Sequence, residues 1–283
     1  MKRYPTVAGS FYEYDPEKLK KQIEWAFTHK LGPGKLPQLN IERRKETLGV
    51  IVPHAGYMYS GPIAAHAYLK LAEEGLPETI ILIGPNHTGY GSAISVMTKG
   101  SWVTPLGEVE IDEEMAKIIV KESGIAAPDE KAHIYEHSNE VQLPFLQYIY
   151  GSRFKIVPIT LMLQTPEVAK DIAKAIHKAW SHIGRDLIIV ATTDFTHYEP
   201  HSIATRKDKL IIDKIIKLDS EGLYKTIEEY NVSMCGPGPV MTLIELAKFT
   251  NAKNVILLAY ATSGDITGDK SAVVGYASIQ FKY

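Results

Sequence analysis

LGVIVPHAGY, residues 48–57, begins as an almost continuous apolar run and turns polar at a histidine. A run this short and this apolar reads as a strand buried on both faces, the kind a parallel sheet contains. Runs of the same kind recur at TIILI (79–83), at Phe154 to Leu161 and at DLIIVA (186–191). Amphipathic segments fill the spaces between them. The first helix is predicted from Asp15 as N-cap and Pro16 at its first position, with Leu19, Ile23, Ala26 and Phe27 on one face. A second is expected from Ser60-Gly61-Pro62 to Gly75, and a third from Asp112 to about Ser123. Thr165 caps another that runs to Ile183, with Pro166 at its first turn. Two more precede Cys235, and one follows from Pro239 to Thr250. Ala93–Met97 and Glu108–Ile111 read as strands around a turn at Thr104–Gly107, and strands at Asn254–Thr262 and Ala272–Phe281 close the chain.

Alternation of this kind predicts an α/β fold: a single three-layer α/β/α domain over residues 1–283, with a mixed but mostly parallel central sheet. The loosest stretch, Leu31 to Lys45, reads as a connection into the first central strand rather than a domain boundary.

Composition narrows the function classes. A formal net charge of −2 gives no electrostatic reason to expect nucleic acid or an anionic membrane as partner. No apolar run approaches the roughly 20 residues that span a bilayer, and the first residues, MKRYPTVAGSFYEYD, lack the apolar core of a signal peptide. A single cysteine excludes an internal disulfide, so a cytoplasmic protein is expected. Plentiful Lys and Glu beside scarce Cys and Gln hint at a thermophilic source.

The histidines carry the functional signal. His54 follows the first central strand directly, His87 lies four residues beyond Ile83 in IGPNHTGYG, and Asp194 and His197 sit in the turn after DLIIVA. In open α/β sheets, ligands bind beyond the carboxyl ends of the strands. If these strands are parallel neighbours, all four side chains enter one crevice, with Gly56 and other glycines letting backbone approach. His66, His177 and His182, on or at the ends of amphipathic helices, read instead as packed or solvent-facing, and His29 and His201 have no supporting context.

Cys235, in NVSMCGPGP (231–239), stands just before a helix. The partial positive charge there favours a thiolate, and one thiolate with two imidazoles is a sound ligand set for iron, zinc or copper. Local sequence equally allows a buried apolar filler or a nucleophile. In HIYEHSNEVQLPF (133–145), Ser138 can cap a helix that Pro144 kinks or delays, and His137 and Glu140 are expected to line the same crevice.

In these residues and the motifs around them, the chain resembles the Memo family, relatives of the class III extradiol ring-cleaving dioxygenases. The likeness rests on AGSFY (8–12), VPHAGYMYSGPIAAHAY from Val52, GPNH from Gly84, EHSNEVQLPF from Glu136, TDFTHY from Thr193, and MCGPGP. It implies a phosphorylase/hydrolase-like fold carrying a mononuclear transition metal, iron(II) favoured, with copper or zinc as alternatives. His54, His87 and Cys235 fall on the ligand positions and His197 on the acid/base; the strand-end pattern, apart from the resemblance, gives Asp194 the part of orienting a histidine. Cys235 stands where the dioxygenases have a glutamate. A thiolate is softer and itself oxidisable, so the ring-cleavage reaction does not transfer with the fold.

Three functions follow as alternatives: a metal-dependent redox enzyme, a non-catalytic binding or adaptor protein with a vestigial pocket, and a cysteine hydrolase using Cys235. The expected ligand is a small molecule or peptide entering over Gly56, Tyr57 and Glu140. A homo-oligomer is left open.

Overall fold

The computed structural model describes residues 1–283. Four strands, Thr47–Val52, Leu187–Thr192, Thr79–Pro85 and Lys155–Leu161, lie side by side in that order, all parallel. All but the first residue of the last are buried, as their uninterrupted apolar runs require. Antiparallel strands extend both sides. Val273–Lys282 pairs with Thr47–Val52 and carries Asn254–Thr262 and His197–Glu199 on its far side. Ile94–Val96 runs antiparallel to Lys155–Leu161 and pairs with Ala127–Pro128. The α/β fold with a mixed, mostly parallel sheet is therefore observed as expected.

Helices cover both faces. Pro16–Thr28, Tyr57–Glu74 and Leu143–Tyr150 pack together on one, while Glu113–Glu122, Pro166–Ile183, His201–Ile216, Ser220–Tyr230 and Pro237–Thr250 form the other layer. Seventy buried hydrophobic residues make one continuous core. Caps sit where their chemistry predicts: the Asp15 carboxylate accepts the amides of Glu17 and Lys18, and the Thr165 hydroxyl accepts that of Val168.

Three local expectations are corrected. The second helix begins at Tyr57, not at Ser60, because the extended Gly56 offers its carbonyl to the Ser60 amide. Glu108–Ile111 does not pair with Ala93–Met97. Its hairpin partner is Ser101–Thr104, which joins Gly107–Glu110 and the N-terminal Lys2–Arg3 in a separate three-stranded sheet. Ser138 is no helix cap: its hydroxyl donates to the Pro85 carbonyl, and a 3-10 turn at Glu140–Gln142 precedes the helix that Pro144 delays.

No helix is long and apolar enough to cross a membrane.

Candidate metal centre

The strand Leu187–Thr192 lies between Thr47–Val52 and Thr79–Pro85, so the three segments that leave their carboxyl ends are neighbours. His54, Asp194 with His197, and His87 accordingly line one crevice of about 650 Å³. This is the strand-end geometry of ligand sites in open α/β sheets.

Each histidine is held from behind. The His54 ring, 2 % exposed, has Nδ1 at 2.8 Å from Thr192 Oγ1, and its backbone amide donates to Asp194 Oδ1 at 2.9 Å. The Gln142 amide also donates to Thr192 Oγ1 at 3.0 Å, which holds that hydroxyl in place behind the ring. Nε2 is the ring nitrogen on the Cys235 side. Burial first, and then the neighbouring histidines, hold its pKa well below the usual histidine range, so the ring is neutral and able to ligate.

His87 Nδ1 lies 2.9 Å from Glu136 Oε1, while the other oxygen of Glu136 accepts the His87 backbone amide. Burial pushes the Glu136 carboxyl up, but hydrogen bonding and charge from His87, with His137 and the Ser138 amide, outweigh it and hold the pKa down to about 2. A fixed carboxylate behind Nδ1 selects the tautomer whose Nε2 faces the crevice, the arrangement common behind metal-binding histidines.

The third imidazole is His137. Its ring stacks on His87 at 4.7 Å between centroids and packs against Phe11 at the same distance. Burial chiefly lowers its pKa too. Ligand atoms of His54, His87 and His137 all lie within 4.8 Å of one another, close enough for one ion. Three imidazoles suit a first-row transition metal rather than a hard cation such as calcium.

Two glycines let the surrounding loops close in. A Cβ on Gly84 would sit 2.5 Å from Ser138 Oγ, and one on Gly236 would sit 2.5 Å from the Thr192 carbonyl. The second contact is what brings Cys235 to the site. Its Sγ lies 3.1 Å from His54 Nε2 and accepts the Asp194 amide at 3.2 Å, while its backbone amide donates to the Asp194 carbonyl. The Gln164 amide group clamps the same segment, donating to the Cys235 carbonyl and accepting from the Gly238 amide. The helix behind does not produce a thiolate: burial first, and then the Asp194 charge, push the thiol well above its ordinary range. That expectation is corrected for the metal-free protein.

Asp194 is buried, and burial raises its carboxyl to about 6. His197 is anchored by its backbone amide to Ser233 Oγ and by Nδ1 to the Ser233 carbonyl, both at 2.7 Å. A carbonyl only accepts, so Nδ1 carries the proton and Nε2 is the basic nitrogen.

Two expected pocket residues are elsewhere. Gly56 lines the crevice, but Tyr57 is buried behind it, its hydroxyl donating to the Val141 carbonyl. Glu140 turns away altogether. It ion-pairs with Arg3, accepts the Thr6 and Val7 amides at 3.0–3.1 Å and the Tyr12 hydroxyl at 2.7 Å, and is fully buried. It ties the N-terminal segment to the domain. His133 is likewise buried away from the crevice, against Trp102 and Thr160.

Sequence reading gave no separate role to Thr192 or Glu136, nor to the aromatic wall of Phe11, Tyr59, Tyr198 and Tyr276. Glu136 lies one residue before His137 in EHSNEVQLPF, and that adjacency is the signal the sequence offers for it.

The profile of the Memo-like protein family matches residues 3–280. A MEMO1 family protein of Sulfurisphaera tokodaii is 55% identical over 283 residues, 99% of each chain. Another, from Ignicoccus hospitalis, is 53% identical over 279 residues, covering 99% of this chain and 98% of its own. Among solved structures, the uncharacterized protein JW3007 from Escherichia coli K12 aligns with a TM-score of 0.54 at 11% identity, over 82% of this chain and 98% of that one. At that identity the likeness shows fold alone.

Proposed function

The chain belongs to the Memo-like protein family, and from that premise we propose that it is a mononuclear metal protein whose strand-end crevice binds an organic ligand. The observation that carries this reading is the set of three imidazoles within 4.8 Å, with carboxylate and hydroxyl acceptors behind two of them.

His54 Nε2 and His87 Nε2 are the first two ligands. Cys235 is the third: its sulfur is 3.1 Å from His54 Nε2, and it would hold an ion there as the thiolate. His137, stacked on His87, is the alternative third ligand. A donor set of imidazoles and one thiolate is borderline-soft, suiting iron(II) first, with copper and zinc as alternatives. Such an ion, when bound, supplies Lewis acidity or one-electron redox chemistry at the crevice floor.

The chain's own residues do the rest. Glu136 selects the ligating tautomer of His87, and Thr192 holds the His54 ring in place. His197, its Nδ1 proton on Ser233, offers Nε2 to take a proton from bound ligand and return it. Asp194 orients His54 through the backbone amide. Against Cys235 as a hydrolytic nucleophile stands the burial that pushes its thiol above its ordinary range, although His54 lies within reach as a base.

Whether the centre turns over substrate or only binds it is decided by assay. Iron-loaded protein is incubated under air with catechol-like and thiol substrates, beside His197→Ala. Turnover lost in the variant supports an enzyme; metal binding without turnover supports a binding protein.

A further inference from the structure

The crevice has walls as well as a floor, and they have a marked chemical bias. No lysine or arginine lines it. Its acidic members are Asp194, buried at the floor, and Asp269, exposed at the rim. Asp269 is anchored through one oxygen only: Oδ1 accepts the Ser271 amide at 2.9 Å and the Ser271 hydroxyl at 2.6 Å. Oδ2 has no protein donor, and no cationic side chain lies within 4.0 Å of the group. Neighbouring Lys270 reaches instead to Asp265, at 3.5 Å.

Aromatic rings supply the second half of the bias. Phe11, Tyr59, Tyr198 and Tyr276 all face the cavity. Tyr198 is the most telling. Its backbone has φ +58°, a region a bulky side chain avoids, and its ring is 79 % exposed. The strained residue follows His197 directly, in the short strand paired with Val273 and Val274. The pairing register shifts between His197 and Glu199, and this bulge places the Tyr198 ring at the mouth of the cavity, where a ligand would meet it.

At the walls and rim, away from the floor histidines, an anionic group would meet an unpaired carboxylate and no lysine or arginine. We propose that the ligand of this crevice is an organic amine: a flat apolar body within the aromatic walls, with a protonated amine held between Asp269 Oδ2 and the Tyr198 ring. Ring faces attract a cation through their quadrupole, and the free carboxylate oxygen supplies the counter-charge. The inference rests on the crevice being the ligand site proposed above, but not on any metal being bound there.

The test uses two probes of nearly equal shape and opposite charge, phenethylamine and phenylacetate, titrated into the intact protein and followed by amide chemical shifts. Phenethylamine is expected to bind saturably and phenylacetate not. Asp269→Asn weakens the amine about two- to fivefold, the scale of an exposed ion pair. Tyr198→Ala weakens it about two- to tenfold, while Tyr198→Phe, which keeps the ring, restores binding. The shifts of folded, unliganded Asp269→Asn report whether the variant retains its structure. Wild-type protein stripped of metal with a chelator retains amine binding, so loss of metal and loss of amine are separate results. Phenylacetate binding as tightly as the amine, unchanged affinity in Asp269→Asn, or no saturable amine binding overturns the proposal, even where the metal centre itself stands.

Discussion

Cys235 Sγ and His54 Nε2 lie 3.1 Å apart although 181 residues separate them in the chain. A thiol and an imidazole at this distance make either a hydrogen-bonded pair or two ligands of one ion, and the two cases respond differently to substitution. Cys235→Ser keeps a hydrogen-bonding group but removes the soft donor. It is expected to weaken iron(II) or copper binding at least about tenfold in a chelator competition, and His137→Ala much less. The reverse ranking makes His137 the third ligand.

Glu136 sets the His87 tautomer from behind, through both the ring and the backbone amide. Glu136→Gln leaves shape nearly unchanged but removes the charge. Metal affinity is expected to fall about 10- to 100-fold, the usual cost of losing such a partner, while circular dichroism stays that of wild type. Unaltered affinity would show that His87 does not ligate.

Arg3 and Glu140 form a buried pair, 2 % and 0 % exposed, with the guanidinium also 4.5 Å over the Trp102 ring. Arg3→Ala leaves a buried carboxylate without its counter-charge and is expected to cost about 3–5 kcal/mol. For a chain of this size that lowers Tm by roughly 10 °C. Metal bound per folded molecule should not change, because Glu140 faces away from the crevice. A variant that unfolds normally but has lost its metal would return Glu140 to the site.

Asp112 makes the pH dependence specific. Its carboxylate caps the helix Glu113–Glu122 and lies within 2.6 Å of the Arg185 guanidinium and the Thr79 hydroxyl. Burial raises its pKa, but Arg185, Thr79 and the Met115 amide outweigh burial and hold it below the usual aspartate range. A carboxyl depressed in the folded state contributes stability that is present above its unfolded pKa, about 3.9, and is lost as pH falls through the folded value. Urea midpoints should therefore drop below about pH 4, and Asp112→Asn should flatten that drop while lowering stability at pH 7. An acid limb equally steep in the variant would assign it to other carboxylates.

The sheet was legible because its parallel strands are short, continuous apolar runs, and a strand buried on both faces has no other pattern. Three of the crevice histidines were legible because they follow strand ends directly. The hairpin at Ser101–Thr104 was not, since SWVT is too short to show a period and its partner is chosen by the hydrogen-bonded register with Gly107–Glu110. Glu140 misled for a related reason. Its partners Arg3, Thr6 and Tyr12 lie 128 to 137 residues away, and nothing beside it in the sequence shows that they claim its carboxylate. The raised Cys235 thiol is likewise tertiary: a helix start predicts a thiolate, whereas burial beside Asp194 reverses it.

His54 and His87 are ligands whichever of Cys235 and His137 completes the set, so one ion should depend on His54. The direct test is element-resolved metal analysis of protein prepared without oxygen and reconstituted with iron(II), comparing wild type with His54→Ala. Wild type is expected to carry close to one equivalent, and His54→Ala a small fraction of that at unchanged fold. Equal metal in the two proteins, high or low, would contradict the account.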